Sequence, residues 1–144
     1  MTLVPKPRHN KREIFKTLDA QTRVQKPNLL LIGDSLISNL SLFPKIWNDC
    51  FSQQNAKNLG IKGDKTQNVL WRIQNMYWPS TVSSVFILCG SNNIYVDIPE
   101  DIARGILLCG NSARNHSTES VKNILYILPR CRGKSIDRDK FVAG

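Results

Sequence analysis

The chain has 144 residues, a mean hydropathy of -0.27 and 41% hydrophobic residues, which fits one soluble globular domain rather than a disordered chain. The longest apolar runs, "LLLI" and "VFILC", are too short to span a bilayer, and "MTLVPKPRHNKR" lacks the apolar core of a signal peptide, so a cytoplasmic location is expected. The net charge of +9 lies mostly in the flanks: residues 1–26 hold seven Lys/Arg against two acids, and residues 129–144 hold five against two.

This charge distribution divides the chain into a basic N-terminal arm (1–26), a body (27–133) and a basic tail (134–144). Cations spread along flanks with few aromatics read first as solvated tails. Contact with nucleic acid or an anionic lipid surface is the other reading. Cys50, Cys89, Cys109 and Cys131 form no Cys-x-x-Cys pair, and neither His9 nor His116 stands beside a cysteine. No metal site is expected from that spacing, and the cysteines read as reduced core residues.

In chain order, "REIFKTLDAQTRV" carries a weak helical pattern with Ile14, Phe15, Leu18 and Val24 as its apolar positions, and Pro27 punctuates it. "NLLLIG" is a continuous apolar run of strand length, as in a parallel sheet buried on both faces. Helical spacing follows from Leu36 to Phe51, interrupted at Pro44. "AKNLGI" predicts a second strand ending in the glycine-rich turn "GIKGD". "KTQNVLWRIQNMYW" predicts a helix with Val69, Leu70, Ile73 and Met76 on one stripe, stopped by Pro79.

"SSVFILCGSNN" is a third buried strand opening into a polar loop. The next helix opens at Pro99 with two acids in its first turn and is expected to bury Ile102, Ile106 and Leu107. "VKNILYIL" is a fourth strand, ended by Pro129. Strand and helix alternating in this way predict an α/β domain with a parallel sheet and right-handed crossovers.

In such sheets, sites collect beyond the carboxyl ends of the strands. Three strand ends carry polar blocks: Gly33-Asp34-Ser35, then Gly60 to Asp64, then Gly90-Ser91-Asn92-Asn93. They recur about one βα unit apart, so one sheet edge should receive all three. Taken singly, Ser35 fits a helix N-cap, Gly63 a turn glycine and Asn92 a loop residue. Together they supply what ester hydrolysis needs, a hydroxyl nucleophile and donors aimed at a developing oxyanion.

"IGDSL", "NLGIKGDKTQNVLWRI", "GSNN" and "LPR", in that order over about residues 28 to 133, resemble the SGNH (GDSL-type) hydrolase superfamily, and most closely its intracellular platelet-activating-factor acetylhydrolases of type Ib. The resemblance implies a flavodoxin-like three-layer α/β/α fold with a parallel sheet. It implies a serine esterase acting on small acyl or acetyl esters of phospholipid-like substrates, with neither metal nor organic cofactor, and a possible homo- or hetero-dimer. By position Ser35 matches the nucleophile, and Gly63 and Asn92 match the further oxyanion donors. Asp34, Asp64 and Asn93 fall in the same blocks as expected loop supports.

The family draws its base and orienting acid from an Asp-x-x-His block after a fifth strand, and these 144 residues contain none. His9 lies in the basic arm, and His116 is expected at the opposite end of the sheet from Ser35. The favoured expectation is a fragment lacking the last strand and the His block, and so inactive or incomplete by itself. The alternative is a non-catalytic interaction module, or an esterase-like domain associated with a mobile element, binding nucleic acid or anionic surfaces through its basic tails.

Overall fold

The computed structural model describes residues 3–127, so the tail at 134–144, Pro129 and Cys131 lie outside the described residues. Four parallel strands, β1 (Leu29–Gly33), β2 (Ala56–Gly60), β3 (Ser84–Leu88) and β4 (Asn123–Ile127), form one sheet in the order β2-β1-β3-β4. β1 is flanked on both sides, which explains its unbroken apolar run: Leu30, Leu31 and Ile32 are all buried. The register aligns Gly33 with Gly60 on one side and with Leu88 on the other. The ends of three strands therefore lie level, and the loops that leave them share one edge.

Helices cover both faces. Toward one face lie α1 (Arg12–Gln25), α4 (Thr66–Asn75) and α5 (Pro99–His116). Their core comprises Val69, Leu70, Ile73, Ile102, Ile106 and Cys109, packed with Leu30, Ile32, Val85 and Ile87 of the sheet. On the other face the short α2 (Ser35–Ser38) and α3 (Pro44–Cys50) cover Leu31 and Ala56 with Ile37, Trp47 and Phe51. A single-turn 3-10 helix at Asn39–Leu42 joins α2 to α3, and Pro44 occupies the first turn of α3, where its missing N–H costs nothing. The result is the expected three-layer α/β/α fold.

The helical pattern in the basic arm is α1, built onto the domain: the Phe15 ring meets Trp71 edge-on at 5.3 Å, and Leu18 packs on the core. The helix ends where Lys26 takes the left-handed conformation and its N–H donates to the Thr22 carbonyl, with Pro27 following. Among the described residues no helix is long and apolar enough to cross a membrane.

Two expectations about burial are corrected. Leu107 is 50% exposed, because α5 turns the stripe Ile102, Gly105, Ile106, Cys109, Gly110 and Ala113 inward and position 107 lies about 130° off the axis of that stripe. Cys50 is exposed rather than a core cysteine, since Trp47 of α3 and Phe51 just after it are the residues turned to the sheet, whereas Cys89 and Cys109 are buried as expected.

Candidate active site

The first block leaves β1 at Gly33, where a side chain would strike the Leu88 carbonyl of the neighbouring strand. Asp34 is fully buried and caps α2: its Oδ1 accepts from the Leu36 N–H at 2.9 Å. The capping role that Ser35 alone suggested therefore belongs to Asp34. Ser35 is the first residue of α2 and half-buried, and among the described residues neither its hydroxyl nor its N–H has a hydrogen-bond partner.

The second block turns at Gly63, whose φ of +86° is a conformation that favours glycine. The Asp64 N–H closes this turn onto the Ile61 carbonyl at 3.2 Å. The N–H of Gly63 itself has no acceptor among the described residues. α4 then begins, and the N–H groups at its start are taken by side chains. Asn93 Oδ1 accepts from the Thr66 N–H at 3.0 Å, and Asn68 Oδ1 accepts from the Lys65 N–H at 2.9 Å.

The third block, following β3, is a single 3-10 turn, Ser91–Asn93. The Asn92 side-chain amide donates one hydrogen to the Asp64 carbonyl at 2.9 Å, which leaves its second N–H for another acceptor. Ser91 Oγ donates to Asp34 Oδ2 at 2.8 Å. The buried Asn93 amide donates to Thr66 Oγ1, Gln67 Oε1 and Asp97 Oδ2. Blocks one and three, and blocks two and three, are thus bolted together by side-chain hydrogen bonds.

Blocks one and two are joined by a residue that the sequence reading passed over. Arg72, on α4, is buried, and its guanidinium donates to Gly33 O at 2.8 Å, Leu59 O at 2.7 Å and Asp64 Oδ2 at 2.9 Å. One side chain therefore ties the ends of two strands to the Gly63 turn. Burial pushes the Asp64 carboxyl up from its ordinary pKa, while the guanidinium groups of Arg72 and Arg8 pull it back. Burial likewise lowers the Arg72 pKa, opposed by Asp64. The available signal was an arginine on the Val69–Ile73 stripe, about two helical turns beyond Asp64.

Neither histidine joins this cluster. His9 is exposed in a 3-10 turn, and His116 ends α5 with its Nδ1 beside the Ser112 carbonyl at 2.9 Å. α5 leads back to the start of β4, so His116 lies at the sheet edge opposite Ser35. No group of three or more His, Cys, Asp or Glu among the described residues could hold a metal ion.

No family model matches the chain. The chain is similar to the platelet-activating factor acetylhydrolase IB subunit alpha2 of Gallus gallus, at 30% identity over 106 residues covering 74% of this chain and 46% of the relative. It is similar to subunit alpha1 of Homo sapiens at 28% over 121 residues, covering 84% of this chain and 52% of the relative. The chain thus spans about half the length of these curated relatives. Its fold resembles a GDSL-like lipase from Bacteroides thetaiotaomicron with a TM-score of 0.62 at 16% identity, over 90% of this chain and 65% of that one. Sequence likeness to the acetylhydrolase subunits, together with the likeness of fold to a GDSL-like lipase, supports a relationship to the SGNH (GDSL-type) hydrolase superfamily.

Proposed function

We propose that these residues form the nucleophile and oxyanion side of a serine esterase active site. The observation that carries this reading is the Ser35 hydroxyl, without a partner among the described residues, on an edge that also holds two backbone donors without acceptors, Ser35 N–H and Gly63 N–H. The first N–H groups of a helix have no intrahelical acceptor and are open to a ligand. At a helix start beyond a parallel sheet, they suit a negative oxygen.

In the proposed reaction Ser35 Oγ attacks the ester carbonyl, and its proton passes to a base and from there to the departing alkoxide. The carbonyl oxygen takes the negative charge of the tetrahedral intermediate and is held by the amides of Ser35 and Gly63 and by Asn92 Nδ2. Water then attacks the acyl-serine, its proton moves to the base, and the carboxylic acid leaves as Ser35 regains its hydrogen. The activity for which the relatives are named suggests an acetyl ester of a phospholipid-like molecule as substrate. The residues that carry the reading lie on the three tied loops, and the base is supplied from outside this set.

Chemical rescue tests this reading. Imidazole supplied in solution replaces the absent base, so the 144-residue chain should hydrolyse p-nitrophenyl acetate faster than its Ser35→Ala variant only when imidazole is present. Equal rates for the two proteins at every imidazole concentration would contradict the proposal and favour a non-catalytic module.

A further inference from the structure

The N-terminal arm reaches the candidate site before α1 begins. Leu3 packs against the main core. The Lys6 N–H donates to Gln67 O at 3.1 Å, and the Lys6 carbonyl accepts from Asn68 Nδ2 at 2.9 Å, so the arm is pinned across the first turn of α4. Two residues later, Arg8 Nη1 donates to the Lys62 carbonyl at 2.9 Å and stands 3.8 Å from Asp64 Oδ1. The guanidinium therefore brackets Gly63 from both sides in sequence. It also fills the space where a side chain on residue 63 would lie, since a Cβ there would collide with Nη1.

The geometry points to Arg8 as a positioning residue for the Gly63 turn, holding its N–H in place through the Lys62 carbonyl and the Asp64 carboxylate. Asp64 Oδ1 is a buried oxygen with no hydrogen bond, and Arg8 Nη1 stands 3.8 Å from it, while Oδ2 is taken by Arg72. Asp64 is thus flanked by two arginines, one from α4 and one from the arm. The Asp64 carbonyl in turn accepts from Asn92, so a shift of the turn would also move the third block. Glycine is favoured here by its φ of +86°, and a side chain at 63 would have to displace the Arg8 guanidinium. A basic residue of the arm acts in this way through a main-chain turn, which differs from an electrostatic role of the arm toward a polyanion.

This inference rests on the esterase reading for its catalytic meaning, but its structural content is testable separately. Hydrogen exchange by NMR on the full 144-residue chain would compare wild type, Arg8→Ala and Arg8→Lys. Loss of a hydrogen bond from a charged donor should speed exchange of the Asp64 N–H by about ten-fold or more. The Asn92 side-chain amide resonances should shift, while the Ile32 and Ile87 amides keep their protection. Arg8→Lys, which keeps the charge without the fork, should restore part of the effect. In the imidazole-rescued reaction, Arg8→Ala should lower kcat with little change in KM. Unchanged Asp64 exchange and Asn92 resonances in Arg8→Ala would overturn the proposal, as would equal acceleration at every amide. If wild type shows no rescued hydrolysis, the esterase reading fails while the exchange data still decide the role of Arg8.

Discussion

Ser91 Oγ donates to Asp34 Oδ2 at 2.8 Å, while the other oxygen of the same carboxylate caps the helix that starts at Ser35. A single buried group thus aims the candidate nucleophile and anchors the Asn92 loop. Asp34→Ala removes the cap, worth about 0.5–2 kcal/mol. It also breaks the bond from the half-buried Ser91 hydroxyl, which adds about 0.5–1.5 kcal/mol. Urea unfolding should show a loss within the combined range, whereas Ser91→Ala should cost less because only one bond is broken.

The Arg72–Asp64 pair predicts a non-additive pattern. Arg72→Met leaves a buried carboxylate without its main partner and frees two strand-end carbonyls, so a loss of about 3–5 kcal/mol is expected. Asp64→Leu should be similarly costly, because it leaves the guanidinium unpaired. The double variant should lose clearly less than the sum of the two. Strict additivity in a double-mutant cycle would mean that the pair does not hold the two strands to the turn.

The pH dependence follows from the raised pKa of Asp64. A carboxyl with a folded pKa above its unfolded value binds its proton more tightly when folded, so this group favours folding most in acid. Its contribution declines as pH rises above the ordinary 3.8 and through the folded value, and is fully unfavourable above that. Relative to wild type, Asp64→Asn should therefore lack this declining component. A stability difference between the two proteins that stays flat across the acid range would remove burial as the dominant influence on Asp64.

Gly63→Ala tests the turn itself. A left-handed φ costs an alanine about 1–2 kcal/mol, and the added methyl must also displace the Arg8 guanidinium. The loss measured in denaturant should exceed the backbone penalty alone. In an Arg8→Ala background the same substitution should cost less, since the collision is gone.

The layout of this site was legible because the strand ends speak in residues of low ambiguity. "NLLLIG" suits a strand covered on both faces in an α/β context, and "GDS" and "GSNN" mark where two such strands open into loops. Arg72 was hidden because a guanidinium within an amphipathic helix ordinarily sits at a surface. Its burial depends on three acceptors from Gly33, Leu59 and Asp64 that come together only after the sheet has formed. Arg8 was hidden for a similar reason: its partner, the Lys62 carbonyl, is 54 residues away and belongs to the main chain, which carries no sequence pattern. Leu107 shows the converse, an apolar residue left outside because it lies off the stripe of Ile102, Ile106 and Cys109 that α5 turns inward.

The central proposal is that Ser35 is a nucleophile set among oxyanion donors, with its base supplied from outside the three loops. A fluorophosphonate probe tests it most directly, because the phosphonyl oxygen takes the place of the ester's developing oxyanion and the adduct can be located by mass. With imidazole present, intact-mass and peptide analysis should show one phosphonyl group on Ser35, absent from Ser35→Ala and slowed in Gly63→Ala. No adduct at Ser35 under those conditions, or labelling spread over other hydroxyls at the same rate, would contradict it.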